Sequence, residues 1–230
     1  TLGAWGASAT ILDAGTPSSD GLVAEYRFDT GAGNTAYDTA GNNDGNINGA
    51  SWTGGVKEGS LKFDGSDDFI ETGYTEDPSE VSLSAWIKID QSMQNNYGSI
   101  ISKYRGDGSS QSYEMLSNDN GGIRFHTSGT KVDSTATLDA GRWYHVVSTW
   151  NGDAGKIYIN GRLDTSDSSL SPNNNDINWE IGRSPRGDNY FNGKIDNARI
   201  YSKPLNHSQI QSLYNSGSWR IGTNTEEDGP

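Results

Sequence analysis

Val81-Ser-Leu-Ser-Ala-Trp-Ile-Lys-Ile89 sets Val, Leu, Ala, Ile and Ile at its odd positions. A period of two over nine residues describes an extended strand that buries one face. Trp86 falls on the opposite face from Val81, Leu83 and Ala85, so parity sends it to solvent or to a ligand groove. Further β-type runs closed by Gly, Asn, Asp or Ser lie on both sides. They are Leu22–Phe28, Ser60–Phe63, Phe69–Thr72, Gly98–Tyr104, Tyr113–Ser117, Gly122–Thr127, Trp143–Trp150, Lys156–Ile159, Trp179–Ile181 and Gly193–Ser202. Many short strands with frequent turn signals predict an all-β sandwich or barrel. Asn160-Gly161 after Lys156–Ile159 is a two-residue hairpin signal. One helix is expected, Asn206–Asn215, with Ser208 as its cap and Ile210, Leu213 and Tyr214 on one face.

Composition agrees with this reading. The 230 residues are only 31% hydrophobic, and 30 of them are glycine. Low hydrophobicity with high charge is also a mark of disorder. However, the chain holds 7 Trp, 11 Tyr and 5 Phe, set inside alternating patterns. The 30 acids, 21 Asp and 9 Glu, outnumber 17 bases and give a net charge of -13. Asp favours turns and caps where Glu favours helix. The charge argues against a nucleic-acid partner, since phosphates would repel it. No run approaches the ~18 apolar residues of a membrane span. Without cysteine there are no disulfides, zinc thiolates or thiol nucleophiles. No signal peptide is visible, so a processed or a cytoplasmic chain is expected.

Four segments in this order resemble the LamG-like jelly-roll family of the concanavalin A-like lectin/glucanase superfold. They are Gly21–Asp29 with Tyr37–Gly45, Leu61–Ile70, Trp143–Gly152 with Lys156–Gly161, and Phe191–Tyr201 with Leu205. The resemblance covers about 21–216. It implies two antiparallel sheets packed face to face, flanked by an N-terminal extension and linker (1–20) and an acidic tail (217–230). It also implies a calcium ion between an early loop and the terminal strands. The residues that fit hard-cation chemistry are Asp38, Asn43 and Asp44, then Asp68 beside Asp67, and Asp196. The same types equally form Asx turns, the role expected for Asp29 and Asp64.

For carbohydrate, stacking rings and planar amides are needed. Trp86, Tyr97, Tyr104, Tyr113, Tyr190 and Asn189 are the candidates, though aromatic residues also fill sandwich cores. No catalytic residues are expected. There is no Glu-x-Asp-x-x-Glu run, and the nearest acid pair, Glu25 and Asp29, straddles a strand end. His145 reads as a packing residue; His126 and His207 are isolated. Asn206-His-Ser208 is the one glycosylation sequon, with Asn206 as acceptor.

Thr1–Leu12 lies outside the jelly roll. Leu2, Trp5, Ala7, Ala9 and Ile11 are its assembly candidates, and Trp5, Ala7, Ala9 and Ile11 share a face when extended. Strand addition to a neighbouring copy, giving a head-to-tail homopolymer, is one expectation; pairing with its own sandwich is the other. Two functions follow. The first is a secreted or cell-surface structural or adhesive subunit, without catalysis. The second is a calcium-dependent module for carbohydrate or glycoprotein, part of a larger surface protein or polysaccharide-degrading enzyme. The excess of Asp adds an expectation of a saline extracellular setting, where repulsion between carboxylates is screened.

Overall fold

A computed structural model describes residues 18–90, 97–106, 111–127, 130–168, 170–172 and 176–218. Two antiparallel sheets face one another, as the sequence predicts. The first contains β1 (Leu22–Tyr26), β4 (Ser51–Gly54), β5 (Gly59–Asp64), β7 (Val81–Ile89), β12 (Trp143–Trp150), β13 (Gly155–Ile159), β14 (Arg162–Asp167) and β16 (Asn192–Tyr201). Its order is β14-β13-β12-β7-β16-β5-β4, with β1 also paired to β16. The second contains β2 (Thr35–Ala36), β3 (Gly45–Asn48), β6 (Phe69–Glu71), β8 (Ser99–Tyr104), β9 (Gln111–Ser117), β10 (Ile123–Thr127), β11 (Thr130–Asp133) and β15 (Glu180–Ile181). Its order is β11-β10-β9-β8-β15-β6-β3-β2.

The core lies between the sheets. From the first it takes Val81, Leu83, Ala85, Ile87 and Ile89, the odd positions of β7, with Val146, Ile195 and Phe63. From the second it takes Ile101, Tyr113, Met115, Ile123, Phe125 and Ile181. A strand pair that buries one face needs apolar residues at alternate positions only, which is how a chain so poor in aliphatics closes a core. Tyr113 stacks on Phe125 and Trp179 at 6.1 and 6.2 Å. The β13–β14 hairpin turns through Asn160 (φ 50°) and Gly161 (φ 76°). Both angles are left-handed, as a type I′ turn requires.

One helix, α1 (His207–Ser218), lies on the outer face of the first sheet. It runs three residues past Asn215, its expected end. Ile210 and Leu213 pack with Val147, Tyr158, Tyr201 and Leu205. Its cap is Asn206 rather than Ser208. Asn206 Oδ1 accepts from Gln209 N at 3.0 Å, and Gln209 Oε1 accepts from Asn206 N at 2.9 Å. This reciprocal pair is a capping box. Ser208 instead donates to Asn206 Oδ1 at 2.6 Å. Among the described residues, no helix is long and apolar enough to cross a membrane.

Candidate functional site

Alternation fixes which residues of the second sheet face outward. Tyr113 and Met115 point into the core, so Glu114 and Leu116 point away from it. Ile123 and Phe125 do the same for Arg124 and His126. Cross-strand register sets Ser102 beside Glu114, and Glu114 beside His126. Over this patch lies a cleft of about 230 Å³, lined by Tyr97, Tyr104, Glu114, Leu116, Arg124, His126, Arg186 and Asn189.

Two loops complete the cleft. Tyr97 precedes β8 and Tyr104 ends it. The turn at 184–189 is tied to β8 at both ends. Ser184 Oγ donates to Tyr104 O at 2.7 Å, and Ser99 N donates to Asn189 O at 2.7 Å. Asn189 holds a left-handed φ of 53°, a conformation that Asn tolerates better than most residues. The turn thereby brings Arg186 and Asn189 to the strand surface.

Glu114 forms the floor. It is 1% exposed. Ser99 Oγ donates to its Oε1. Its Oε2 lies 3.8 Å from His126 Nδ1, too far for a hydrogen bond. The His126 ring stands 4.5 Å from the Tyr104 ring at 57°. Burial first, and the Glu114 carboxylate second, push the Tyr104 hydroxyl up. At the rim, Arg124 makes a two-pronged contact with Asp133, Nε to Oδ1 at 2.6 Å and Nη2 to Oδ2 at 2.9 Å. Burial opposes ionisation of Asp133, but the Arg124 guanidinium outweighs it and holds the carboxyl below its usual range. Arg124 also sits over the Tyr97 ring, 5.3 Å from its centre. Arg186 Nε pairs with Asp188 Oδ1 at 2.8 Å.

The structure thus unites Tyr97, Tyr104 and Asn189 of the sequence candidates, and it separates the rest. Trp86 is not in solvent; it is 2% exposed under α1 and borders the hollow beside that helix. Tyr214 stacks on it at 5.7 Å and 20°. Tyr113 is core. Tyr190 borders Arg183, whose guanidinium is paired with Glu180 and lies over the Phe69 ring. Glu114, Arg124, His126 and Arg186 were missed. The outward parity of Glu114, Arg124 and His126 was available in their strands, and His126 is not isolated. His145 does pack inside, its Nε2 3.0 Å from Ser84 Oγ; burial above all pushes it down to about 3.

The expected calcium ligands are gathered only in part: Asp38, Asn43 and Asp44 meet in one loop, while Asp68 and Asp196 lie apart from it. Asp38 Oδ1 accepts from Glu25 N (2.9 Å) and Ala40 N (3.0 Å). Its Oδ2 accepts from Asn43 N (3.1 Å) and Asn43 Nδ2 (2.9 Å). Asp44 Oδ1 accepts from Asp38 N at 2.8 Å. Four donors fill the acceptor capacity of Asp38, so these residues fit a self-bonded loop better than a cation. Asp196 is held elsewhere, by Val56 N, Lys57 N and Asn197 Nδ2. Asp68 accepts from Asp64 N, and Asp64 accepts from Ser66 N as an Asx turn. The Asp64, Asp67 and Asp68 carboxylates come within 4.8 Å of one another. Asn206 is exposed, with Oδ1 engaged in the helix cap. Leu2, Trp5, Ala7, Ala9 and Ile11 lie outside the described residues.

A larger hollow of about 550 Å³ lies beside α1 on the first sheet, with Glu25, Arg27, Trp86, Arg199 and Tyr201 in its walls. Of the five charged residues that line it, Glu25, Arg27 and Arg199 are bound to one another, while Asp29 and Lys57 stand apart from that set. Glu25 Oε1 pairs with Arg199 Nε at 2.7 Å, and Oε2 with Arg27 Nε at 2.8 Å. Ser18, Ser19, Ser216 and Gly217 form part of its edge, next to residues outside the described set.

Many solved structures are similar in fold, among them the following three. The sialidase of Trypanosoma rangeli, solved with 2,3-difluorosialic acid, superposes with a TM-score of 0.68 at 17% identity. The match covers 87% of this chain and 33% of that one, so the chain spans about a third of the sialidase. The binding domain of botulinum neurotoxin serotype D gives 0.66 at 21% identity, over 86% of this chain and 52% of that one. Domain 4 of the extracellular arabinanase AbnA from Geobacillus stearothermophilus, in complex with arabinotriose, gives 0.64 at 20% identity. There the match covers 84% of this chain and 98% of that one. No curated protein sequence matches the chain. The Laminin G 3 family model matches residues 64–211, from the end of β5 into α1, and the chain therefore belongs to the Concanavalin A-like lectin/glucanases superfamily.

Proposed function

We propose that this domain is a non-catalytic carbohydrate-binding module of an extracellular protein, with its sugar site in the Glu114 cleft. One observation carries the reading. Tyr97, Tyr104 and Asn189, residue types that stack on and read sugars, meet around a buried carboxylate on the outer face of the second sheet. Such sites combine apolar walls with a few convergent polar groups. The arabinanase domain, covered almost entirely by this chain, is similar in fold and was solved with a sugar, which favours the same use here. It also belongs to an extracellular enzyme, which supports an extracellular setting.

Binding rather than hydrolysis fits the carboxylates. Most glycosidases use two, about 5–5.5 Å apart when retaining or 6.5–9.5 Å when inverting, sialidases with a tyrosine nucleophile being an exception. Glu114 is the one carboxylate among the residues lining the cleft. The nearby Asp133 and Asp188 are held by Arg124 and Arg186. The self-assembling subunit expected first from the sequence gains no support, because the residues it rests on lie outside the described set.

An immobilised glycan panel probed with the full chain tests the proposal. Retention of at least one glycan class is expected, with Tyr104→Ala weakening it about tenfold, or roughly 1.4 kcal/mol. No product should form on prolonged incubation with the retained glycan. Binding that is indifferent to Tyr104→Ala, or release of sugar, would contradict it.

A further inference from the structure

We infer that the Glu114 cleft takes one neutral sugar ring with adjacent free hydroxyls and disfavours acidic sugars; this rests on the carbohydrate reading above. Three observations point the same way. The first is size. About 230 Å³ falls below the roughly 300–1,000 Å³ of a site for a drug-sized ligand. A single terminal ring fits such a volume better than a chain of rings.

The second is the floor. An ionised carboxylate only accepts hydrogen bonds, and it holds about four acceptor positions. Ser99 Oγ occupies Oε1 of Glu114, while Oε2 lies 3.8 Å from His126 Nδ1, beyond hydrogen-bond reach. A buried carboxylate with an acceptor to spare calls for donors from the ligand. Neighbouring hydroxyls on one ring supply two, and hydrogen bonds to a charged acceptor are the strong kind. A ligand carboxylate or sulfate offers no donor and brings a like charge.

The third is the rim. Arg124 and Arg186 look at first like receptors for an acidic sugar. Both are already engaged. Arg124 pairs with Asp133 and lies 3.7 Å from Asp119; Arg186 pairs with Asp188. Two guanidinium groups therefore stand among four carboxylates, counting Glu114. Each guanidinium keeps N–H donors beyond those its aspartate takes, but the aspartate already offsets the charge that an anionic ligand would seek. Such a ligand would also approach a chain of net charge -13.

The test compares neutral and acidic glycans on one panel. Galactose-, arabinose- and glucose-terminated probes form the neutral arm. Sialylated, uronic-acid and sulfated probes form the acidic arm. The full chain should prefer a neutral probe by at least about tenfold. A free neutral monosaccharide should compete for binding. Glu114→Gln and Tyr104→Ala should each weaken binding about tenfold or more, with unfolding midpoints measured alongside. The preference of the unaltered chain and the Tyr104→Ala result stand even if Glu114→Gln fails to fold. Equal or stronger binding of acidic probes overturns this inference and leaves the carbohydrate reading intact. Neutral binding that survives both substitutions overturns it as a statement about this cleft. No binding to any probe overturns both.

Discussion

Gly217 lies directly against Trp86: a β-carbon on Gly217 would stand 2.6 Å from the indole Nε1 and 2.7 Å from Cε2. The last turn of α1 therefore closes on the ring only because a glycine is there. Parity in β7 correctly turns Trp86 away from the core. What the strand pattern does not contain is the helix that covers it.

Gly217→Ala should accordingly destabilise the domain. Alanine favours a helix over glycine by roughly 0.5–1 kcal/mol, but overpacking costs about 1–3 kcal/mol. The difference is a net loss of up to about 2.5 kcal/mol. At Gly54 a β-carbon meets nothing within 4 Å, so Gly54→Ala should change stability by less than about 0.5 kcal/mol. Urea unfolding followed by tryptophan fluorescence compares the two.

Asp196 makes stability depend on pH. Burial above all, with Asp29 adding to it, pushes its carboxyl up to about 7 against the amides of Lys57 and Val56. The folded state thus holds the proton more tightly than the unfolded chain, where the value is about 4. Its contribution is complete below that value and is lost as pH rises from about 4 to 7, by at most about 1.4 kcal/mol per pH unit. Glu25 works in the opposite direction. Burial opposes its ionisation, but Arg199, Thr39 and Arg27 outweigh burial and hold it low. Its stabilisation is present above the unfolded value and is lost on acidification. Urea midpoints across this range should fall less steeply in Asp196→Asn than in the unaltered chain.

Asp38 organises a loop through hydrogen bonds. Asp38→Ala removes the acceptor of four donors; one of the bonds is buried, at about 1–3 kcal/mol, and the other three are part-buried and regain water, so the loss should be about 2–4 kcal/mol. The loss should be the same in calcium and in EDTA. If calcium stabilised the unaltered chain and not the variant, Asp38 would be a ligand after all.

Asn206→Ala removes the helix cap and should cost about 1 kcal/mol. Because α1 covers Trp86, the near-ultraviolet circular dichroism of the indole should weaken at a lower denaturant concentration than in the unaltered chain. Coincident midpoints would contradict the capping role.

The interior strands were legible because burial imposes a period of two. All eleven runs read from the sequence recur as strands, with ends shifted by two residues at most. Five strands were not read: β2, β4, β11 and β14 at the sheet edges, and β3 inside the second sheet, whose alternation rests on one aliphatic side chain, Ile47. Thr35-Ala36, Ser51–Gly54, Thr130–Asp133 and Arg162–Asp167 are polar and mostly half-exposed, which suits an edge and erases the alternation. The site was legible in part for a similar reason. Tyr97, Tyr104 and Asn189 stood out by residue type. Arg186 reaches them only because Ser184 and Asn189 bind β8 some eighty residues away, a contact that no local pattern encodes. The aspartates were legible only as a class, since a residue that closes a turn and one that holds a cation look alike in sequence.

An amide NMR titration of the full chain with the neutral monosaccharide that competes on the glycan panel tests the central claim most directly. Shifts should concentrate at Tyr97, Ser99–Tyr104, Glu114–Leu116, Arg124–His126 and Arg186–Asn189, and saturate with added sugar. Shifts gathered instead around Glu25, Arg199 and Tyr201, or none at saturating sugar, would contradict it.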